Sequence, residues 1–220
     1  MLELFLNYFV VLFIVVDPIG VASMFAALAH DESFAQQRRL AIRGTLIAAA
    51  VLVVFALLGD VLLRALGIGM PAFQIAGGVL LFLLAVDMVF ARHSGLRSTT
   101  VAEQKEAQRK KDISVFPLAV PLIAGPGALT SVLLMVGEQG REPMVIGTVL
   151  AVLAAVLVLT LAMLLLSARI TAYMGETGVN VISRVLGIVL AALAVQFILD
   201  GWTAAAMGSP EEEVAEVITI

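Results

Sequence analysis

An ionisable carboxylate, a proline and a glycine stand together at Asp17-Pro18-Ile19-Gly20, half-way along the apolar run Leu4 to Ala29. Pro18 removes a backbone donor and clashes with the preceding turn, and Gly20 permits the angles of a sharp turn. A helix broken in hydrocarbon frees N–H and C=O groups that lipid cannot satisfy, so such a break must face protein or a wet cavity. The half-helix starting near Gly20 then offers free N–H groups carrying partial positive charge, a seat for an anionic group such as a carboxylate. The same chemistry recurs at Gly125-Pro126-Gly127, inside the second apolar run Val115 to Val136. Pro126 follows Pro18 by 108 residues, close to half of the 220-residue chain. Two broken spans in matching places of two halves point to a transporter binding site near the bilayer midplane.

The residues beside the breaks are small: Ala22, Ser23, Ala124, Ala128, Thr130 and Ser131. The candidate substrate-binding set is therefore Asp17, Pro18, Ile19, Gly20, Ser23, Gly125, Pro126, Gly127, Thr130 and Ser131. No Lys or Arg lies in the interior of any predicted span, so backbone N–H groups would hold a substrate carboxylate. Three roles are open to Asp17: binding the substrate ammonium, carrying a coupling proton, or helping to hold Na⁺. A small site, uncharged apart from Asp17, suits glycine, alanine or serine. Asp87 is a candidate interfacial cap or gate, and Gln74 and Gln196 are candidates for helix-to-helix hydrogen bonds or gating. Asp60 and Asp200, near outer span ends, are expected to be solvated, and Pro117 and Pro121 to act as kinks.

The elements that must position these residues are membrane spans. At 61% hydrophobic and 14% charged residues, with mean hydropathy +1.09, the chain is far more apolar than a soluble domain. At ~20 residues per helical span, six spans with loops use up its length. The pattern predicts spans from about Leu4 to Ala29, Gly44 to Leu63, Pro71 into the stretch before Arg92, Ile113 to Val136, Met144 to Leu166 and Val181 to Leu199. A polar turn is expected over His30 to Arg43, and another loop through Arg169 and Gly175 to Gly178. The first span is expected to remain uncleaved, since no basic leader precedes it.

Three spans per half is an odd number, so the second half enters the membrane inverted. The expected fold is thus all-α, with six transmembrane helices in two inverted three-helix repeats and the first helix of each repeat broken near the midplane. Residues 1–91 form the first repeat, 92–112 a basic cytoplasmic linker, 113–202 the second repeat and 203–220 an acidic extracytoplasmic tail. Gly77 and Gly187 correspond at an offset of 110, and Ser23 and Ser131 at 108. Of the 13 Lys and Arg, 11 fall in alternate connections after spans one, three and five, counting Arg184, which sets both termini outside the cytoplasm. The basic linker is expected to contact lipid headgroups.

Other function classes fare poorly. The formal charge of −4 and the confinement of basic residues to loops argue against a nucleic-acid partner. Cysteine is absent, and His30 and His93 both fall in predicted loops. With no Gly-x-Ser-x-Gly or His-Glu-x-x-His pattern either, no enzyme, no cofactor and no dedicated metal site is expected. The oligomeric state is not legible.

The Asp17 to Gly20 motif, the Phe73 to Phe82 stretch with Ala76-Gly77-Gly78, the Phe116 to Ala128 run and Arg184-Val185-Leu186-Gly187-Ile188 closely resemble the MarC family of integral membrane proteins. The resemblance covers residues 1 to 202. It implies a six-span protein of the bacterial inner membrane, with Asp17, Pro18, Gly20, Gly125, Pro126 and Gly127 lining its site. Transporters of small neutral amino acids within that family carry glycine and similar substrates. The resemblance thus points to a secondary transporter of this kind, driven by H⁺ or Na⁺. The alternatives are an exporter of another small metabolite, or a channel or scaffold without coupled transport. This chain has Ser23 or Met24 where the family's first motif carries a second proline, which leaves the substrate open.

Overall fold

The computed structural model describes residues 2–90, 113–137 and 142–206, and all the regular elements among them are helical. The expected linker 92–112 lies outside the described residues, as do residues 207–220 of the expected tail. In chain order the elements are α1 (Leu2–Val16), α2 (Pro18–Leu28), α3 (Phe34–Ala65), α4 (Met70–Val89), α5 (Ser114–Ile123), α6 (Pro126–Gly137), α7 (Pro143–Leu165) and α8 (Ser167–Ala206). Five spans among the described residues are long and apolar enough to cross a membrane, with α1 and α2 forming one of them, and the bent pair of α5 and α6 brings the number to six where it is counted as one span.

Three stretches differ from the sequence expectation. The polar turn after the first span is short, because α3 begins at Phe34 rather than near Gly44. Ser33 caps the new start by accepting from the Gln36 N–H at 3.3 Å. Gln37 Nε2 then closes the turn by donating to the carbonyls of Ala29 (2.9 Å) and Glu32 (3.1 Å). Arg38, Arg39 and Arg43 therefore lie on a helix, where long side chains can keep their charge in the interface. Likewise, the loop expected through Arg169 to Gly178 is helical, interrupted only at Gly175 with φ 63°. The third stretch is α5, where Pro117 and Pro121 do more than kink a helix. Phe116 and Val120, the residues before them, are extended, the conformation that a following proline favours.

Glycines set the closest packing, between α4 and α8, which cross antiparallel. A Cβ on Gly78 would lie 2.8 Å from the Ala194 carbonyl oxygen, one on Gly187 3.1 Å from the Val89 nitrogen, and one on Gly201 2.9 Å from the Pro71 carbonyl oxygen. Lipid is as apolar as leucine, so helix association in a membrane relies on such close backbone approach. Around this pair, α1 packs on α6 and α7, α2 on α7 and α8, and α3 on α5, α6 and α7, while α4 also meets α6. Leu12, Phe25, Leu52, Leu81, Leu118, Val132, Val156 and Leu190 fill the shared core. Large apolar side chains such as Val54, Leu58 and Val61 on α3 and Val185 and Ile188 on α8 stay exposed on the protein surface. That much exposed apolar surface fits a surrounding lipid phase, not water.

Candidate functional site

The first proline motif is closed by its own side chains. Asp17 adopts φ 50° and ψ 67° between α1 and α2, a left-handed conformation that a short polar side chain tolerates by hydrogen-bonding locally. Its Oδ1 accepts from the Gly20 N–H at 3.1 Å, capping α2. Glycine is required at position 20 because a Cβ there would overlap the Asp17 carboxylate. Backbone bonds continue on both sides, from the Asp17 N–H to the Phe13 carbonyl and from the Val21 N–H to the Asp17 carbonyl, each 2.9 Å. The helical path is therefore interrupted at a single residue within a 27-residue span. Asp17 is 2% exposed, and its Oδ2 lies 3.4 Å from the Ser183 hydroxyl of α8, which donates to it.

The second motif is built differently. α5 and α6 meet at a bend of 54°. Within α5 the Phe116-Pro117 and Val120-Pro121 peptide bonds are cis. The Leu118 N–H reaches back to the Ile113 carbonyl at 3.1 Å and the Ala124 N–H to the Ala119 carbonyl at 2.8 Å, wider steps than an α-helix makes. Gly125 is pressed so closely on Pro121 that a Cβ would overlap its carbonyl oxygen. α6 then starts at Pro126, a residue suited to the first turn.

Val15, two residues before the first motif, lies against the second. A Cβ on Gly127 would lie 2.9 Å from Leu81 Cδ2, 3.2 Å from Val15 Cγ1 and 3.3 Å from Leu84 Cδ2. Val15 is two residues from Asp17, and it also lines a recess with Leu80, Leu84, Pro121, Gly125 and Pro126. That recess holds about 10 Å³, barely enough for one water. Thr130, 4% exposed, faces Gly77, where a Cβ would overlap it. Ser131 is fully buried, and its hydroxyl has no hydrogen-bond partner among the described residues. Pro18 is buried, whereas Ile19, Gly20, Ser23, Gly125 and Pro126 are half-buried.

The gating candidates are not all brought to this place. Gln74 is buried on α4 against Gly201, seven residues or about 10 Å along the helix from Leu81. Gln196 bonds Asp200 on its own helix at 2.7 Å, and both are exposed, so it links no two helices. Asp87 is half-buried, one turn beyond Leu84. Asp60 is not solvated: it is 8% exposed and pairs with Arg64 at 3.1 Å. It lies one residue from Gly59, which abuts Leu133 of α6.

Sequence reasoning missed Ser183 and the bond from the Tyr8 hydroxyl to the Met135 carbonyl, 3.2 Å, which ties α1 to α6. A signal for Ser183 existed: it extends by one turn the stripe of Gly187, Leu190 and Ala194, which is the buried face of α8. A polar side chain on such a stripe needs a partner, and Asp17 is that partner.

The family model described as MarC family integral membrane protein matches residues 2–206. The chain belongs to the MarC family. It is 34% identical to the UPF0056 membrane protein YvbG of Bacillus subtilis (strain 168), over 91% of this chain and 95% of that protein. A UPF0056 membrane protein of Archaeoglobus fulgidus is 36% identical over 91% and 92% of the two chains. The UPF0056 membrane protein YhcE of Escherichia coli (strain K12) is 29% identical over 90% and 91%. No solved structure matches. Family membership and the apolar helices together make this MarC chain an integral, multi-pass membrane protein.

Proposed function

We propose that the protein is a secondary transporter of small neutral amino acids of the glycine, alanine and serine class. It is driven by H⁺ or Na⁺ and works by alternating access between two inverted three-helix halves. The observation that carries this reading is the proximity of the two proline motifs, with Val15, two residues before the first, against Gly127 of the second. In the proposed mechanism the substrate carboxylate takes the N–H groups at the start of α6, and Asp17 serves the ammonium or the coupling ion. The recess of about 10 Å³ cannot admit an amino acid, so this conformation is a closed one and transport requires the halves to part.

The packing pattern supports two related halves. Where α1 packs on α7, α5 packs on α3; where α2 packs on α7, α6 packs on α3; where α4 packs on α6, α8 packs on α2. Exchanging the first three spans for the last three thus reproduces these three neighbour pairs, although the contacts of α1 with α8 and of α7 with α6 and α8 have no counterpart of similar extent. The antiparallel α4 and α8 lie where the pseudo-symmetry axis of an inverted repeat would pass. In the bacterial inner membrane, both termini would be extracytoplasmic. The test is uptake of labelled glycine, alanine and serine into proteoliposomes under imposed proton or sodium gradients. Saturable, gradient-dependent uptake is expected. Well-folded protein that takes up none of the three would instead favour export of another small metabolite.

A further inference from the structure

α3 is 32 residues long, about 48 Å at 1.5 Å per residue, whereas the hydrocarbon core of a bilayer is about 30 Å thick. Its first turns must therefore stand in the headgroup layer. On those turns Arg38, Arg39 and Arg43 are exposed, and they share one open face of α3 with Leu46, Ile47 and Ala50. That face changes character along its length, from guanidinium groups at one end to aliphatic side chains at the other. Ala50 is seven residues beyond Arg43, about 10 Å deeper. Arg38 and Arg39 form no ion pair among the described residues.

We infer that this face binds an anionic phospholipid, with the phosphodiester held by Arg38 and Arg39 and an acyl chain lying along Leu46 to Ala50. Guanidinium groups match a phosphate with paired donors, which a zwitterionic surface satisfies less well because its own cation competes. Charge also disfavours residues 92–112 as the occupant, since that stretch carries six Lys and Arg against three Asp and Glu. The apolar half of the face distinguishes a lipid from free phosphate, which has nothing to place there.

The test titrates the purified full chain in detergent with phosphatidylglycerol, phosphatidylcholine or inorganic phosphate and counts bound lipid by native mass spectrometry. Phosphatidylglycerol should bind in preference to phosphatidylcholine. At about 1 kcal/mol per arginine, the Arg38→Gln, Arg39→Gln pair should weaken phosphatidylglycerol roughly 30-fold. Because loop charge also sets membrane orientation, the Arg38→Lys, Arg39→Lys pair provides the charge-preserving control and should fall between the two. The chain has no cysteine, so a fluorophore on an Ala50→Cys variant reports on this site alone, and phosphatidylglycerol with brominated chains should quench it. Equal binding of the two lipids, unchanged binding in the glutamine pair, absence of quenching, or full displacement by inorganic phosphate would each overturn the inference.

Discussion

The two proline motifs solve the same problem in opposite ways. At the first, a charged side chain repairs the interruption: Asp17 caps α2 through Gly20 while backbone bonds from Phe13 to Val21 keep α1 and α2 in one span. At the second there is no charge, and α5 with its extended Phe116 and Val120 meets α6 at 54°. One break holds the ionisable group and the other holds the bend. In the proposed transport cycle the first therefore suits ion coupling and the second suits backbone recognition of a carboxylate and movement.

The largest effect should follow from removing the charge at the first motif. Asp17→Asn keeps an oxygen able to cap α2, so the protein should fold, yet gradient-driven uptake in proteoliposomes should vanish. Asp17→Ala loses the cap as well and should cost about 1 kcal/mol more in thermal unfolding than the asparagine variant. If Asp17→Asn transports normally, the assignment of ion coupling to the first motif fails.

Next comes the contact of Val15 with the second motif. Gly127→Leu would drive a side chain into Leu81, Val15 and Leu84, an overpacking worth about 1–3 kcal/mol, and uptake should be lost with it. Gly78→Leu provides the comparison away from the motifs, because it collides with the Ala194 backbone between α4 and α8. It should destabilise the fold by a similar 1–3 kcal/mol, roughly, visible as a lowered unfolding temperature before any transport assay.

Smaller effects separate the polar side chains. Ser183→Ala removes the hydroxyl on Asp17 Oδ2, a loss of about 1 kcal/mol, and should alter the pH profile of uptake if Asp17 is the coupling group. Ser131→Ala should leave thermal stability unchanged, because its hydroxyl has no partner among the described residues to lose. A fall in uptake by that variant alone would assign Ser131 to substrate.

Much of the fold was legible because hydrocarbon imposes strict rules on a sequence. Long apolar runs, arginines gathered in alternate connections and matched prolines at Pro18 and Pro126 identify spans and the places where they are interrupted. Ends of helices were less legible. Phe34 to Arg43 reads as a polar turn by charge, but Ser33 and Gln37 supply the caps that let a helix start there. Asp60 reads as solvated by its place near a span end, but it is buried in the folded chain, and burial depends on neighbours that a local pattern does not contain.

The sequence by itself determined that this chain is a helical, multi-pass membrane protein with a carboxylate inside its first span, since composition and periodicity act locally and need no partner. Only the tertiary structure decided that Asp17 reaches Ser183, that Val15 lies on Gly127 and that Thr130 faces Gly77. Those contacts join residues that are far apart in the chain, and they depend on how closely helix backbones approach. Glycine permits that approach wherever it occurs, but only the opposing surface determines which partner fills the space.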